Sequence, residues 1–485
     1  MLTRMWIRNL SVFALALIVT FGVVSGCNDD GGGGGPSNGG NEGVPPPGGP
    51  PPANLQTAAD DAFEQLRNIF ETFPDGGCAK NSGDFHCNYW QLGNAFDTAI
   101  DYLIMNPSKA KDFANLVIDK FNATKDTDSP CWYDDFGWWA VAAQRALEHD
   151  TLWSENQLVK FAEIAADNWD TMQDGLNTYD KRADHPGDFD SLQPLFEGGI
   201  WNYFWSSVHI QGVCMTPCDP TDRNQSSLCG RQNTVTNGLY LVAASTRAAD
   251  TGDELYKQAA GRELGFLLQW FDPANFQDIS NSLLYPLDPL GPGGVAAGPA
   301  VVRERVSVYH SRVRDFHYDP NVIWAGDQGL ILGGLLRSIG AVPSDLDPQI
   351  LDLAKRITDG VLEYLSESDD EILIGTRFFP WSNVIHPTPS TIGGSPNGGD
   401  DNDYDTGIGV YMRYLLYAYQ TNSEMRQHLQ DTGYPELVRM YAEDFAAQDQ
   451  GLCYPIPQPD EGEHCSDLVK YTNKLAVVVA ALGMR

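Results

Sequence analysis

The residues of this chain whose types and spacing best suit chemistry are two adjacent carboxylates, Asp134 and Asp135. They lie in an aromatic-rich segment, Cys131-Trp132-Tyr133-Asp134-Asp135-Phe136-Gly137-Trp138-Trp139-Ala140. In glycoside hydrolysis, one carboxyl protonates the leaving oxygen while a second attacks the sugar or activates a water molecule. The surrounding Trp and Tyr rings would offer apolar faces to pyranose rings. The segment therefore predicts acid/base and nucleophilic chemistry on a sugar.

The same residues also have a purely structural interpretation, which the sequence leaves open. Carboxylates in the first turn of a helix bind free N–H groups and suit the helix dipole, and aromatic rings often only pack in a core. Neighbours on a regular helix point about 100° apart. Both carboxylates therefore reach one substrate only where the chain enters a helix at a cleft rim, an entry that Pro130 and Gly137 permit. Adjacent attachment favours the separation of about 5–5.5 Å found in retaining enzymes.

The segment Trp132–Ala140 resembles the hallmark of glycoside hydrolase family 76, the bacterial and fungal endo-α-1,6-mannanases. Other pieces similar to that family follow in the expected order: Tyr89-Trp90-Gln91, Gly198-Gly199-Ile200-Trp201, Asn233-Thr234-Val235-Thr236-Asn237-Gly238-Leu239, Asp327-Gln328-Gly329 and Gly409-Val410-Tyr411-Met412-Arg413-Tyr414. The resemblance covers residues 85–420, which is most of the chain. It departs from the family pattern after Trp201, where a second Trp is usual and this chain has Asn202.

The resemblance implies an all-α fold, the (α/α)6 barrel or six-hairpin toroid, and hydrolysis of α-mannan with retention of configuration and no cofactor. By position, Asp134 would be the nucleophile and Asp135 the general acid/base. The substrate-binding residues predicted with them are Trp90, Gln91, Trp132, Tyr133, Trp138, Trp201, Asn233, Asp327 and Gln328.

Two other functions stay open at this point. One is a glycan-binding surface protein that kept the toroid and lost turnover, which the departures from the family pattern at Asn202, Asp327 and Ile408 would favour. The other is a different toroid enzyme, either another glycosidase or a polysaccharide lyase. A lyase would need a Tyr or His base beside Arg or a metal for an acidic sugar, and a chain with net charge −34 is a poor host for polyanions.

The elements that must position these residues are helices. Apolar residues recur at i, i+3 and i+4 in twelve segments, and strict alternation of the strand type is rare. The predicted helices are Ala58–Phe73, Trp90–Met105, Lys109–Phe121, Phe136–Leu147, Asn156–Met172, Thr234–Asp250, Glu254–Phe271, Asp327–Ile339, Gln349–Leu365, Thr406–Tyr419, Tyr434–Ala447 and Ser466–Leu482. Six inner and six outer helices suit a closed toroid, whereas a solenoid would show a fixed sequence period.

The composition of the chain limits its partners. The 485 residues include 31 Lys and Arg against 65 Asp and Glu, so the chain lacks the basic residues that neutralise phosphates in nucleic-acid binding. Aromatic residues make up 11% of the chain, enough for a large packed core. These properties favour a folded protein with an uncharged or cationic ligand. Together with the resemblance, we expect a monomer whose partner is an uncharged polysaccharide or oligosaccharide.

The N-terminal region predicts export and a lipid anchor. Arg4 and Arg8 precede an apolar run that ends in Val24-Ser25-Gly26-Cys27, which resembles a bacterial lipoprotein signal. Residues 1–26 would be the signal peptide, 27–53 a lipidated Cys27 with a Gly/Pro-rich tether, and 54–485 the catalytic domain. An ordinary cleaved signal is the alternative. The expected location is the bacterial cell envelope, at the outer membrane, the cell surface or the periplasmic side, with membrane contact through the lipid alone.

The remaining cysteines and the scattered metal-type residues give weaker predictions. Eight cysteines besides Cys27 suggest up to four disulfides in an exported chain, with Cys78–Cys87 and Cys453–Cys465 as the local pairs. A zinc site on Cys214, Cys218 and Cys229 is the alternative, but no His has ligand spacing beside them. Asp401-x-Asp403-x-Asp405 has the spacing of the first three ligands of a calcium loop. The Gly expected at the sixth position and the Glu at the twelfth are replaced by Thr406 and Met412. We therefore predict no metal.

Overall fold

A computed structural model of the chain describes residues 53–72, 89–125, 132–180, 198–200, 202, 228–275, 282–286, 298–309, 318–319, 323–365, 367–368, 377–378, 384–385, 406–446 and 466–485. Within these ranges the chain forms thirteen α-helices and nine short β-strands. The helices are α1 (Ala53–Thr72), α2 (Tyr89–Met105), α3 (Ala110–Thr124), α4 (Tyr133–Glu148), α5 (Glu155–Asp180), α6 (Thr234–Thr251), α7 (Glu254–Phe271), α8 (Ala325–Ser338), α9 (Asp347–Tyr364), α10 (Gly407–Thr421), α11 (Ser423–Asp431), α12 (Tyr434–Ala446) and α13 (Asp467–Gly483).

Six of these helices form a closed inner ring. Around the ring, α2, α4, α6, α8, α10 and α13 each pack against the next, and α13 packs back against α2. The helices α1, α3, α5, α7, α9 and α12 pack on the outside of the ring, and the short α11 lies between α10 and α12 in the chain. Because outer and inner helices alternate along the sequence, the fold is the predicted (α/α)6 barrel.

The two layers differ in sequence because they differ in burial. The inner helix α8 is buried along its whole length, so apolar and small residues occupy every side of it. The outer helix α1 is amphipathic. Phe63, Leu66 and Phe70 on one face are buried in the core, while Asp61 and Gln65 on the opposite face are exposed. The core thus lies between the two layers and within the ring.

The inner helices run in the same direction. Glu148, the last residue of α4, accepts hydrogen bonds from Arg337 near the end of α8, and Arg337 also donates to Thr246 in the later part of α6. Nearer the helix starts, Gly409 of α10 donates its N–H to Asn473 of α13 at 3.1 Å. The first turns of the ring helices therefore meet at one end of the barrel.

Short strands precede two of the inner helices, which the sequence pattern does not predict. The described strands are β1 (Leu228–Asn233), β2 (Leu284–Pro286), β3 (Ala300–Val302), β4 (Arg305–Tyr309), β5 (Tyr318–Asp319), β6 (Ile323–Trp324), β7 (Glu367–Ser368), β8 (Arg377–Phe378) and β9 (Val384–Ile385). The antiparallel sheets have the orders β1-β4-β5, β2-β3, β6-β9 and β7-β8. Strands of two to six residues are too short for a visible alternation, and the partners of β1 and β6, the strands that precede inner helices, lie more than fifty residues away in sequence.

The twelve helices predicted from periodicity are confirmed, with differences at their ends: α1 begins at Ala53 rather than Ala58, and α5 ends at Asp180 rather than Met172. α4 begins at Tyr133 rather than Phe136, and α11 is an additional helix whose first turn is capped by the side chain of Asn422. The apolar C-terminal segment forms α13 of the inner ring, as expected for a terminal core helix. Among the helices of the described ranges, none combines the length and the apolar character needed to cross a bilayer.

Candidate active site

The adjacent carboxylates lie in the first turn of α4, at the end of the barrel where the inner helices begin. Trp132 is the residue before the helix, and its side chain makes no capping hydrogen bond. Asp134 and Asp135 follow at the second and third helical positions, and both side chains are half-buried. The positive end of a helix dipole stabilises nearby negative charge, so this turn suits ionised carboxylates. The two groups are therefore placed at a helix entry, a position that the chemical and the structural interpretation share.

A short segment containing two glycines in the left-handed region holds the start of α4. Gly198 and Gly199 have φ values of +102° and +74°, and a Cβ on Gly199 would lie 2.5 Å from Cζ of Phe266. This turn lays Ile200 against α6, where its N–H donates to Oδ1 of Asn237 at 2.8 Å. The Gly-Gly-Ile pattern therefore has a structural reason: only glycine fits this backbone and this space.

Asn202 joins this segment to α4 and to the candidate nucleophile. Its carbonyl oxygen accepts the N–H of Tyr133 at 2.8 Å, which satisfies one of the free donors at the helix start. The hydrogen-bonding pattern assigns the orientation of its side-chain amide. Nδ2 donates to the two carboxylate oxygens of Asp134 at 2.9 and 3.3 Å, and Oδ1 accepts from Asn233 at 2.9 Å. The hydroxyl of Thr236 is also within hydrogen-bond distance of the amide.

Neither Asn202 nor Thr236 is among the site residues predicted from the sequence. A signal for Asn202 was present, because it directly follows the Gly-Gly-Ile-Trp segment and stands where the resembling family usually has Trp. Asn233 was predicted, and it caps α6 by accepting the N–H of Thr236 at 3.0 Å. Asn202, Asn233 and Asp134 thus meet at the contact between the first turns of α4 and α6.

The predicted aromatic residues divide into an accessible and a buried group. Trp132, directly before α4, is 40% exposed. Trp90 is half-buried, and its ring centroid lies 5.6 Å from that of Trp138. Tyr133 and Trp138 are buried and support the wall of the site. Trp201 lies outside the described residues.

The remaining predicted binding residues lie at the starts of α2 and α8. Gln91 is the third residue of α2 and is 95% buried, and the structure gives its Oε1 no hydrogen-bond partner among the described residues. Gln328 is fully buried, and its amide exchanges hydrogen bonds of 2.7 Å with the N–H and C=O of Val302. Asp327 beside it is also fully buried. Gln328 therefore fixes β3 to the start of α8.

The interior of the ring behind these first turns is filled by a buried ion-pair network. Arg145 of α4 bonds Asp97 at 2.6 Å and also pairs with Asp101, both on α2. Arg413 of α10 pairs with the other oxygen of Asp97 at 2.8 Å and donates to Asn94 at 2.9 Å. Burial opposes the charge on Arg145, but the two carboxylates hold its pKa above the ordinary value. The ring is therefore closed by side chains behind these first turns, and the candidate site lies at the end where the helices begin.

Several predicted features fall outside the described residues. These are Cys27, the other cysteines except Cys229, and the three aspartates with calcium-loop spacing, Asp401, Asp403 and Asp405. Of Cys229 the structure describes only the backbone, in β1. The described part of the chain contains no group of three or more His, Cys, Asp or Glu side chains that could hold a metal ion. The disulfides and the lipid anchor remain predictions.

No protein-family model and no curated protein matches the chain. Several solved structures do. An inactive double Asp-to-Asn variant of the GH76A α-1,6-mannanase of Salegentibacter sp. HEL1_6, in complex with α-1,6-mannotriose, has a TM-score of 0.56 at 14% identity and covers 89% of this chain and 100% of its own. The unsubstituted enzyme has a TM-score of 0.54 at 16% identity with the same coverage. Dfg5 from Chaetomium thermophilum, in complex with glucosamine, has a TM-score of 0.54 at 15% identity and covers 88% of this chain and 90% of its own. These likenesses establish the fold of the chain.

Proposed function

We propose that this protein is a retaining glycoside hydrolase that cleaves α-1,6-mannosidic linkages in α-mannan, with Asp134 as nucleophile and Asp135 as general acid/base. The observation that carries the proposal is the placement of two adjacent, half-buried carboxylates in the first turn of α4, at the end of the ring where the inner helices begin. An exposed indole, Trp132, directly precedes them. In this arrangement the proposed acid, nucleophile and sugar-binding ring would lie next to one another.

The comparisons add support to this proposal. The solved structures that share the fold include α-1,6-mannanases, and one of them was made inactive by replacing two aspartates with asparagines. This chain has its own pair, Asp134-Asp135, inside the segment that resembles the family hallmark. Shared fold and shared motif point to the same reaction, although each alone would be compatible with a protein that only binds glycans.

In the proposed reaction, Oδ of Asp134 attacks the anomeric carbon while the carboxylic acid of Asp135 gives its proton to the departing glycosidic oxygen. The C1–O bond to the leaving sugar breaks, and a mannosyl ester forms on Asp134. Asp135, now a carboxylate, removes a proton from water, whose oxygen bonds C1 and displaces Asp134. Two inversions give net retention, and both residues return to their starting protonation states.

The electrostatic character of the chain suits a neutral substrate. Its formal net charge is −34, which would repel polyanionic glycans but leaves an uncharged mannan unaffected. Binding would then rest on stacking against exposed aromatic rings such as Trp132 and on hydrogen bonds to sugar hydroxyls. The acidic surface and the aromatic site are thus compatible with one substrate class.

The test is to incubate the purified full-length protein with α-1,6-mannan and follow the release of reducing ends. Asp134→Asn and Asp135→Asn should each remove nearly all activity. Asp170→Asn, an exposed aspartate on the outer helix α5, is the matched control and should keep it. ¹H NMR of the first product should show the α-anomer, as retention requires. Equal activity of the three variants would refute the assignment of the pair.

A glycan-binding protein without turnover would give a different result. The wild-type chain would then release no reducing ends from any α-mannan, while calorimetry would still detect mannooligosaccharide binding. Trp132→Ala would weaken that binding, because it removes the most exposed indole at the site. These measurements separate the enzyme from the binder without further assumptions.

We also propose that the protein is anchored to the bacterial cell envelope through Cys27. The support is the sequence Val24-Ser25-Gly26-Cys27 at the end of an apolar run, followed by the Gly/Pro-rich tether. Cells expressing the protein should incorporate labelled palmitate into it, and Cys27→Ser should abolish the label. Persistent labelling of that variant would exclude Cys27 as the attachment site.

A further inference from the structure

Asn202 occupies a buried position between the two inner helices that carry the site. Its side chain is only 4% exposed, and its main chain is bound to α4 through the N–H of Tyr133. The preceding Ile200 is held to α6 by Asn237, whose amide also donates to the carbonyl of Ile200 at 3.2 Å. The side chain of Asn202 therefore has little freedom to move away from Asp134.

A chain of amide groups determines which way the Asn202 side chain points. The N–H of Thr236 in the first turn of α6 donates to Oδ1 of Asn233, so the Nδ2 of Asn233 faces outward from the cap. That Nδ2 donates to Oδ1 of Asn202, which leaves the Nδ2 of Asn202 toward Asp134. The cap of one helix thus orients a hydrogen-bond donor toward a carboxylate of the next.

We propose that Asn202 is a positioning residue that holds the Asp134 carboxylate in its ionised form, fixes its rotamer, and assists its departure from the sugar. This inference rests on the function proposed above. A hydrogen bond to a full carboxylate is stronger than one to an ester oxygen. The bond from Asn202 therefore strengthens as water displaces Asp134 and the C1–O electron pair returns to the carboxylate.

The pattern of the resembling family has a tryptophan at this position, and a tryptophan could not make both of the side-chain hydrogen bonds that Asn202 makes. An indole has one N–H donor and no acceptor, whereas an amide donates to Asp134 and accepts from Asn233 at once. The departure at Asn202 therefore changes how the nucleophile is held and does not remove its support.

The kinetic test uses Asn202→Leu and Asn202→Asp in the full-length protein. Both variants keep the backbone bond to Tyr133, so the start of α4 is preserved. We expect kcat on an activated aryl α-mannoside to fall about 10- to 150-fold, as for loss of a hydrogen bond to a charged group, and KM to fall with it, because a slower second step lets the mannosyl-enzyme accumulate. The acidic limb of the kcat/KM profile should move to higher pH, because the ionised nucleophile loses a donor. Asn202→Leu should also show a burst of aryl alcohol, since loss of the donor slows the second step.

The control variant is Asn422→Leu, which removes another helix-capping asparagine. Asn422 lies between the end of α10 and the start of α11, away from the end of the ring that carries the site, so kcat and the pH profile should be unchanged. An active wild-type enzyme with an unaltered acidic limb and kcat in Asn202→Leu would refute the positioning role while leaving the proposed function intact.

A second measurement tests the contact even if the wild-type chain is inactive. Protein labelled with ¹⁵N-asparagine gives side-chain amide resonances, and the one missing from Asn202→Leu belongs to Asn202. That resonance should shift as the pH is lowered through the titration of Asp134, and the shift should vanish in Asp134→Asn. A resonance that titrates identically in both proteins would refute the contact. A positive result with an inactive wild type would refute the proposed function alone.

Discussion

Glu263 has a carboxyl group in an apolar part of the core, and its replacement tests whether burial keeps this group neutral. It lies on the inward face of the outer helix α7, between the buried residues Ala259, Ala260 and Leu267. Its side chain is fully buried, and neither carboxyl oxygen has a hydrogen-bond partner among the described residues. A charge without partners in such a place is costly.

Burial raises the pKa of Glu263 to about 8, with the neighbouring Arg262 acting weakly in the opposite direction. Between the ordinary value of 4.5 and 8, the unfolded chain has released this proton while the folded chain retains it. The contribution to stability is therefore complete below pH 4.5, is lost as the pH rises through this window, and changes no further above it. At about 1.4 kcal/mol per pKa unit, the loss is on the order of 5 kcal/mol.

Glu263→Gln keeps the size and the neutral form of this side chain and removes its titration. We expect the variant and the wild type to have similar melting temperatures at pH 4.5, and the variant to melt roughly 5 °C higher at pH 8.5. The conversion uses about 1 °C per kcal/mol, from the average unfolding entropy for a domain of this length. Differential scanning calorimetry at pH 4.5, 6.5 and 8.5 measures the difference in melting temperature between the variant and the wild type. The other titrating groups are the same in both proteins, so their effects cancel in this difference.

Glu254→Gln is the matched control, because Glu254 is an exposed glutamate in the first turn of the same helix. Its melting temperature should follow that of the wild type at every pH. A Glu263→Gln variant that tracked the wild type across the whole range would show that the carboxyl is not kept neutral by burial. A variant less stable at pH 8.5 would show that the charged form has a partner, which refutes the reasoning.

Three further predictions concern the ring, the glycine turn and the exposed indole. Arg413→Met leaves Asp97 with one cation instead of two in a buried network, and should cost about 3–5 kcal/mol in urea unfolding. Gly199→Ala should cost about 1–3 kcal/mol and reduce kcat, because the new Cβ collides with Phe266 and displaces the segment before Asn202. Trp132→Ala should raise KM for mannooligosaccharides about three- to tenfold with kcat nearly unchanged.

Each of these predictions has its own control. Adding Asp97→Asn to Arg413→Met should recover part of the lost stability, and strictly additive losses would contradict the pairing. Gly252→Ala has a similar φ of +66°, and no atom of the described residues lies within 4 Å of the new Cβ. Equal losses at Gly199 and Gly252 would therefore exclude crowding. Leu255→Ala, at an exposed position on α7, should leave KM unchanged, and a Trp132→Ala variant with normal KM would remove that indole from the binding site.

The helical architecture could be predicted because its signal is local. An inner helix such as α8 or an outer helix such as α1 shows its periodicity within its own sequence, and the alternation of layers follows from their number and lengths. The start of α4 at Tyr133 could not be predicted in the same way. It depends on the carbonyl of Asn202, which lies about seventy residues further along the chain and supplies a partner for an otherwise free N–H.

The candidate site was predictable in its residue types and less so in its connections. The Asp134-Asp135 pair is visible as a motif, whereas the role of Gln328 is not. That residue was expected to bind substrate, but its amide is bound to the backbone of Val302 in β3. Sequence spacing reports which polar residues begin an inner helix, and only the fold decides which of them faces the opening and which joins two segments.

The paired asparagines at the contact of α4 and α6 explain why the departure from the family pattern is compatible with catalysis. Asn233 keeps α6 capped through its Oδ1 and orients Asn202 through its Nδ2. Asn233→Asp should therefore preserve the cap but lose the donor, since Asp caps helices as well as Asn does. Asn202 would then turn its amide, Asp134 would face an oxygen, and kcat should fall with little loss of stability. A fall in both together would show that the cap, and not the orientation of Asn202, is what the site requires.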